Sequence, residues 1–221
     1  MLSVSKYMID DESKLVRYNL NYPVIEYDKE SDIVSYINES IHQDILSFKD
    51  VVYHEICNSR FEIEHYIFNA VSEYRVTFNI DNIISIPIEF SQLVGLYDIT
   101  YINCYNYDID LGKRIKLKDI FKEDCDYIGL INNKIIKIIS GLKKKYKNII
   151  DDETVYNDDN FLGIDEDQDF YIEKDGIVIC FSSYEINHRC SYLTEFKILF
   201  DDQKEYLSEY TINSLCKELL Y

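Results

Sequence analysis

Apolar and polar residues alternate with a period of two through much of the stretch from Ser72 to Tyr107, and this pattern constrains the fold most. Successive side chains of a β-strand point to opposite faces, so the alternation predicts strands with one buried face. Asp81-Asn82 separates the first two runs, as expected of a hairpin turn. The alternating positions are Tyr74, Val76, Phe78 and Ile80, then Ile84, Ile86, Ile88 and Phe90, then Tyr97, Ile99, Tyr101, Asn103, Tyr105 and Tyr107. The sequence therefore predicts an antiparallel meander.

Two other segments carry apolar residues at steps of three and four, which is the spacing of one helix face. The first runs from about Ser31, a predicted N-cap, to Cys57, and the second from Asp126 to Tyr146. A closing amphipathic helix is predicted from Asp202 to Leu220. The apolar positions of the first two helices are Ile33, Ile37, Ile41, Ile45, Phe48 and Val52, and Ile128, Ile131, Ile135, Ile138 and Leu142.

Runs of strands broken by a few helices predict an α+β fold, with amphipathic helices packed on an antiparallel sheet of hairpins and meanders. A short strand with a proline, 19–25, precedes the first helix, and a second hairpin, 170–181, follows the second helix. At 221 residues the chain can form one large domain or two small ones. We predict an N-terminal subdomain over residues 1–70 and a C-terminal α+β subdomain over residues 71–221, joined in one compact unit.

The surface is strongly acidic, because 41 Asp and Glu residues face 23 Lys and Arg residues and give a formal charge of −18. Such a surface repels nucleic acid and anionic membranes, so the predicted partner is neutral or basic. Lys6, Asp10 and Asp11 interrupt the apolar run that a secretion signal would need, and no window reaches the length of a membrane span. The sequence as written predicts a cytoplasmic protein without membrane insertion, or an extracytoplasmic one if the chain is truncated.

No motif predicts a cofactor or a metal site. The six cysteines, at positions 57, 104, 125, 180, 190 and 216, lack the close pairs of a zinc knuckle. They are predicted to be buried thiols, with disulfides as the alternative that their even number permits. The positions of the six glycines exclude a nucleophile elbow and a phosphate-binding loop.

The acidic stretch 151–169 resembles part of a calcium-binding loop. Asp165, Asp167 and Asp169 have the spacing of the first three ligands of an EF-hand loop. Phe170 and Gly176 stand where that loop requires glycine and glutamate, so the pattern is incomplete. The expectation is therefore no metal, with a calcium-stabilised structural domain as an alternative.

Two segments resemble a known domain family. The residues YNYDIDLGK at 105–113, followed by LKDIF at 117–121, look like the strand–turn–strand signature of a domain of unknown function that RsiV-type anti-sigma factors share with PdaC-type peptidoglycan deacetylases. The residues FYIEKDGI at 170–177, continuing to Tyr184-Glu185-Ile186, are similar to the second motif of that domain. Tyr22-Pro23-Val24-Ile25 and the helix after it resemble the accompanying N-terminal domain.

The resemblance implies a non-catalytic α+β module of bacterial proteins that binds lysozyme in RsiV-like members and accompanies a separate catalytic domain in PdaC-like ones. It makes residues 1–70 PdaC-like and residues 71–221 RsiV-like. It also implies that two loops touch the partner. In this chain their candidate partner-binding residues are Gly95, Tyr97 and Asp98 in one loop, and Tyr184, Glu185 and His188 in the other.

Three functions follow as hypotheses. The first is a binding or sensing module with no reaction of its own, for a basic protein such as lysozyme or for a peptidoglycan fragment, which would suit the −18 surface. The second is a cell-wall glycan hydrolase, which requires two carboxyl groups about 5 to 10 Å apart across a cleft. The third is the calcium-stabilised structural domain.

Overall fold

The computed structural model describes residues 2–13, 15–58, 68–94, 97–146, 161–186 and 192–216, with only the backbone at 93–94, 97–98 and 145–146. The chain forms two compact units, Met1–Lys113 and Arg114–Tyr221. The division drawn from the sequence lay at residue 70. The compact units divide later because the strands just after residue 68 pair with strands on both sides in one sheet.

The first unit is a mixed sheet with one long helix. Its elements are β1 (Leu2–Glu12), β2 (Val16–Tyr27), α1 (Asp32–Asn58), β3 (Phe68–Tyr74), β4 (Phe78–Ile80), β5 (Ile83–Val94), β6 (Tyr97–Asp108) and β7 (Lys113–Arg114). The seven-stranded sheet has the order β1-β2-β3-β5-β6-β7, and β4 pairs with β5. The pairs β1–β2, β3–β5, β4–β5 and β5–β6 are antiparallel. The α+β prediction is confirmed.

Helix α1 connects the one parallel pair of the described sheet, β2 and β3. Parallel neighbours need a crossover, and a helix that packs back on the sheet provides it. The predicted helix and its N-cap are confirmed, since Ser31 Oγ accepts a hydrogen bond from Val34 N at 3.5 Å. The buried face of the helix consists of Val34, Ile37, Ile41, Ile45, Phe48, Val52 and Ile56. This face forms a core with buried residues of β2, β3, β5 and β6.

The predicted strand from Tyr74 to Ile80 is broken by a bulge. Tyr74 lies opposite Ile88 and Phe78 lies opposite Ser85, so three residues on one strand face two on the other. Pro87 lies across from the extra residue. Proline cannot donate a backbone hydrogen bond, and a bulge is one of the few places within a sheet that tolerates it. The hairpin turn is confirmed, because Asp81 and Asn82 have φ of 51° and 59°.

Strand β1 was not predicted. It pairs with β2 along its whole length, from Leu2 opposite Tyr27 to Glu12 opposite Arg17. Most of its side chains are exposed or half-buried. Because an edge strand buries so few side chains, its sequence does not show the apolar alternation that predicts inner strands.

The second unit contains α2 (Leu117–Ile120), α3 (Tyr127–Tyr146), β8 (Phe170–Glu173), β9 (Gly176–Phe181) and β10 (Thr194–Leu199). The last three form an antiparallel sheet in the order β10-β9-β8. Helix α3 packs near β10 and buries Ile131, Ile135 and Ile139. Gly176 is required by a close approach, because a Cβ there would lie 2.3 Å from the carbonyl oxygen of Ile198.

The continuous helix predicted from Asp202 to Leu220 is wrong over its described part. The chain forms a 3-10 turn at Asp201–Gln203 and a short π-helix at Thr211–Leu215. Between them, Leu207 forms a β-bridge with Phe121, and Ser208 Oγ donates to the carbonyl oxygen of Asp119 at 2.7 Å. These contacts hold the chain extended where an isolated amphipathic pattern favours a helix.

The buried-thiol prediction is confirmed at Cys104, Cys180 and Cys216. Cys125 is half-buried, and Cys57 is exposed at the end of α1. Cys190 lies outside the described residues.

Candidate functional site

The turn 182–186 follows the buried end of β9 in the second unit. Ser182 and Glu185 close it through the hydrogen bond from Glu185 N to Ser182 O, at 3.1 Å. Phe181 just before the turn and Ile186 at its end are both buried, so the turn is anchored on each side. Tyr184 lies at its tip with φ of 66°.

The carboxylate of Glu185 holds this turn in shape. Its Oε2 accepts a hydrogen bond from Ser182 N at 2.6 Å, and its Oε1 accepts one from Gln168 Nε2 at 3.0 Å. The same Gln168 nitrogen also donates to the carbonyl oxygen of Cys180 at 2.6 Å. An amide nitrogen has two hydrogens, so Gln168 can tie the turn to β9 with both.

Tyr184 is strained and exposed. A bulky residue other than glycine is rare at positive φ, and the conformation costs of order 1 to 3 kcal/mol. The residue is 37% exposed, so more than a third of its surface stays in solvent despite that cost. The turn therefore presents an aromatic ring and a phenol hydroxyl at the surface, and the neighbouring carboxylate keeps the backbone beneath them fixed.

The six predicted site residues have different outcomes. Tyr184 and Glu185 lie together in this turn. Tyr97 and Asp98 are the first residues of β6 in the first unit, paired with Val94 and Leu93, and only their backbone is described. Gly95 and His188 lie outside the described residues. Partner binding by all six stays a prediction.

A cavity of about 620 Å³ opens on the second unit, and sequence reasoning missed it. Its lining brings together three lysines, three acidic residues, Cys125 and Tyr206. The charged lining residues are Lys122, Lys134, Lys137, Asp124, Asp126 and Glu205. The only sequence signal was the spacing of Lys134 and Lys137 on one face of α3, since residues 205–206 approach from a distant segment.

Several groups of this cavity are already engaged. Asp126 Oδ1 caps helix α3 by accepting a hydrogen bond from Gly129 N at 2.9 Å. Lys122 Nζ donates to the carbonyl oxygen of Glu205 at 2.5 Å. Burial, followed by the nearby charges of Asp126 and Asp124, raises the pKa of the Cys125 thiol. A raised pKa keeps this thiol protonated at neutral pH, where it is a poor nucleophile.

The described part of the acidic loop forms a local turn. Asp165 Oδ1 accepts a hydrogen bond from Asp167 N at 2.9 Å, and residues 151–160 lie outside the described part. Within the described residues, no group of three or more His, Cys, Asp or Glu side chains is placed to hold a metal ion. The helices of the described part also include none long and apolar enough to cross a membrane.

A polar cluster in the first unit ties α1 to the sheet. Asp44 on α1 accepts hydrogen bonds from Asn103 Nδ2 at 3.0 Å and from the hydroxyl of Tyr105, both on β6. Burial and the hydrogen bond to Asp44 raise the pKa of Tyr105 far above its usual value. Burial, with the charges of Asp44 and Glu55, raises the pKa of Tyr101 to about 12. This cluster therefore fixes helix α1 against β6.

Two family models match the chain. The family described as deacetylase PdaC matches residues 9–95, and the family of proteins of unknown function DUF3298 matches residues 118–198. Peptidoglycan-N-acetylmuramic acid deacetylase PdaC of Bacillus subtilis (strain 168) is 26% identical over 182 residues. That match covers 80% of this chain but spans only 36% of the length of the relative.

Two solved structures of DUF3298 family proteins share the fold. The protein from Bacteroides fragilis NCTC 9343 aligns with a TM-score of 0.61 at 17% identity, over 98% of both chains. The protein from Pseudomonas aeruginosa PAO1 aligns with a TM-score of 0.59 at 10% identity, over 95% of this chain and 94% of its own. These two structures show the fold, and the two family matches with the PdaC relative confirm the predicted pairing of a PdaC-like segment with a C-terminal domain of unknown function.

Proposed function

We propose that this chain, a PdaC-like segment followed by a DUF3298 segment, is a non-catalytic binding module that presents the turn 182–186 to a basic protein. The observation that carries the proposal is Tyr184, a strained and exposed aromatic residue on a turn held by Glu185. Strained backbone that the surroundings hold in place is concentrated at functional sites.

The positive φ at position 184 does not require a tyrosine. Glycine would adopt φ of 66° without a steric penalty, and asparagine would adopt it at a smaller one. Tyrosine keeps the penalty and leaves its side chain 37% exposed. Aromatic side chains supply large contact area at low conformational entropy, which is why tyrosine is enriched at the centres of interfaces.

The charge of the chain selects the class of partner. A formal charge of −18 attracts basic proteins and speeds their encounter. The relative from Bacillus subtilis is named for its action on peptidoglycan, and the chain corresponds to 36% of its length. A module that accompanies cell-wall enzymes would meet lysozyme, a basic protein with the same substrate, and lysozyme is therefore our probe.

The test is a titration of the full chain with lysozyme at about 0.05 M and about 0.3 M salt, beside a basic protein of similar size. We expect saturable lysozyme binding that persists at the higher salt concentration and is absent for the other basic protein. Tyr184→Gly removes the ring and relieves the strain, so it should weaken binding about tenfold or more while the stability stays close to that of the wild type. Tyr36→Ala, at a 60% exposed tyrosine on α1, is the matched control.

Two results would contradict the proposal. Binding that vanishes at about 0.3 M salt, or equals that of the other basic protein, would reduce it to attraction by the acidic surface. Unchanged binding by Tyr184→Gly would move the site away from the turn. Co-sedimentation with insoluble peptidoglycan, run in parallel, distinguishes a glycan ligand from a protein ligand.

The cavity keeps the hydrolase hypothesis as a second candidate, because Asp124 and Glu205 both line it. A hydrolase would release reducing ends from purified peptidoglycan, and both Asp124→Asn and Glu205→Gln would abolish the release. Release that survives both substitutions would rule this cavity out as its source.

A further inference from the structure

Strand β1 lies at one end of the sheet of the first unit. It extends over 11 residues, Leu2–Glu12, and pairs with β2 on one side. No strand of the described residues pairs with its other side. An edge strand of this length exposes a row of unpaired backbone N–H and C=O groups to which another strand can bind, unless charges, prolines or bulges prevent it. β1 has no proline, and its register with β2 runs without a bulge.

The charged residues of β1 fall into two sets. Asp11 and Glu12 are paired within the chain, with Lys49 Nζ at 2.6 Å and with Arg17 Nη2 at 3.3 Å. The side chains of Lys6 and Asp10 have no ion pair or hydrogen bond among the described residues. They lie on the same face of the strand but about 13 Å apart along it, so they cannot pair with each other.

We infer that β1 pairs antiparallel with β1 of a second copy of this chain, which joins the two sheets across a two-fold axis. The unpaired charges of Lys6 and Asp10 favour a second copy as the partner. The lysine of each copy can pair with the aspartate of the other. A two-fold interface is self-complementary in this way, with each residue meeting its counterpart reciprocally.

Hydrogen-bond geometry limits the registers. Alternate residues of β1 direct their backbone groups away from β2, so partners across the axis must both be even-numbered or both be odd-numbered. In one allowed register, Lys6 lies opposite Asp10 of the second copy, and Asp10 lies opposite its Lys6. The full set is Val4 opposite Glu12, Ser5 opposite Asp11, Lys6 opposite Asp10, Tyr7 opposite Ile9, and Met8 on the axis.

The neighbouring registers are poorer. One places Lys6 opposite Met8 and leaves both charges unpaired, and another places Lys6 opposite itself. A third places Lys6 opposite Glu12, which Arg17 already holds, and shortens the paired segment. The favoured register also sets an aromatic residue against a β-branched one at Tyr7 and Ile9, a stabilising cross-strand pair.

The inference is tested by reciprocal charge exchange, with sedimentation equilibrium of the full chain over a micromolar to millimolar concentration range. We expect a weak wild-type dimer, because two copies that each carry −18 repel one another. Lys6→Asp and Asp10→Lys should each weaken the dimer about tenfold or more, since each places like charges opposite one another. The double variant should restore wild-type association, and an equimolar mixture of the two single variants should form heterodimers that neither forms alone.

Net charge is controlled within this set, because the two single variants shift it in opposite directions. Lys118→Asp, at an exposed lysine on α2, makes the net charge as negative as Lys6→Asp does but leaves β1 unchanged. A wild-type chain that stays monomeric over the whole range would overturn the inference. So would single variants that associate as well as the wild type, or a double variant that fails to recover. Circular dichroism melting confirms that each variant is folded.

Discussion

Asp44 and Glu185 each accept two hydrogen bonds, but the two units use these carboxylates differently. In the first unit, Asp44 joins helix α1 to side chains of β6 beneath it. In the second unit, Glu185 binds a backbone amide and Gln168, and fixes a surface turn. The first carboxylate stabilises packing that the core already favours. The second stabilises a conformation that burial alone would not select, with a strained tyrosine at its tip.

This difference separates structural contacts from candidate functional ones. A polar group that satisfies buried partners is explained by the fold, because leaving those partners unpaired would destabilise it. A polar group that holds an exposed, strained residue in place is a candidate for a functional contact, because strained backbone is concentrated at functional sites. Four measurements test this difference between the two carboxylates.

Asp44→Ala is expected to have the largest effect. It leaves the hydroxyl of Tyr105 and the amide of Asn103 without their acceptor, so the free energy of unfolding should fall by about 3 kcal/mol. Asp50→Ala, at an exposed aspartate on the same helix, should change it by less than about 0.5 kcal/mol. Urea unfolding of both variants measures the difference. Equal effects would mean that the cluster adds nothing to the helix–sheet contact.

Alkaline pH should destabilise the first unit through the same cluster. The folded-state pKa of Tyr105 is raised and that of Tyr101 is about 12, both above the value of about 10 in the unfolded chain. The folded state therefore holds these protons more tightly. The stabilisation is complete below about pH 10 and is lost as pH rises towards 12, at up to about 1.4 kcal/mol per pH unit for Tyr105.

Urea unfolding between pH 9 and about 11.5 measures this slope. Tyr105→Phe should make it shallower, whereas Tyr7→Phe, at a 50% exposed tyrosine, should leave it unchanged. An identical slope in the wild type and in Tyr105→Phe would remove Tyr105 as its cause.

Glu185→Ala should destabilise the second unit by about 1 to 2 kcal/mol, because two hydrogen bonds to an ionised carboxylate are lost. Glu166→Ala removes an exposed acid nearby and should be close to neutral. If both variants unfold at the wild-type urea concentration, the turn does not depend on its carboxylate.

Tyr184→Gly should have the smallest net effect, because relief of the strained φ, about 1 kcal/mol, offsets the burial that is lost with the ring. Tyr184→Ala also removes the ring but keeps a Cβ at positive φ, so it should be less stable than the glycine variant. The difference between their unfolding free energies reports the strain itself. A glycine variant less stable than the alanine variant would show that the backbone at Tyr184 is not strained.

The inner strands and long helices were predictable because each buries one face against the core. The residues Ile37, Ile41 and Ile45 mark α1, and Ile84, Ile86 and Ile88 mark β5. Strand β1 escaped prediction because an end strand buries few side chains. The C-terminal helix was predicted too long, because Leu207 and Ser208 contact residues 119–121 and are held out of a helix. No local sequence pattern reveals these contacts.

The candidate site was half predictable. The resemblance to a domain family pointed to Tyr184 and Glu185, but nothing in the sequence indicated the positive φ or the two acceptors that hold the turn. Gln168 was missed because its role depends on reaching across to Cys180. The cavity was missed for the same reason, since residues 205–206 meet α3 only in the folded unit.

Local patterns in the sequence specify the α+β class, the two principal helices, the hairpin at Asp81-Asn82 and the acidic surface, because periodicity, turn chemistry and charge are local properties of the chain. The parallel pairing of β2 with β3, by contrast, is visible only in the folded chain. The same holds for the bulge opposite Pro87 and for the shape of the turn that carries Tyr184. Each of these depends on hydrogen bonds between strands, or between a turn and the segment beside it, and such bonds form only when folding has brought those partners together.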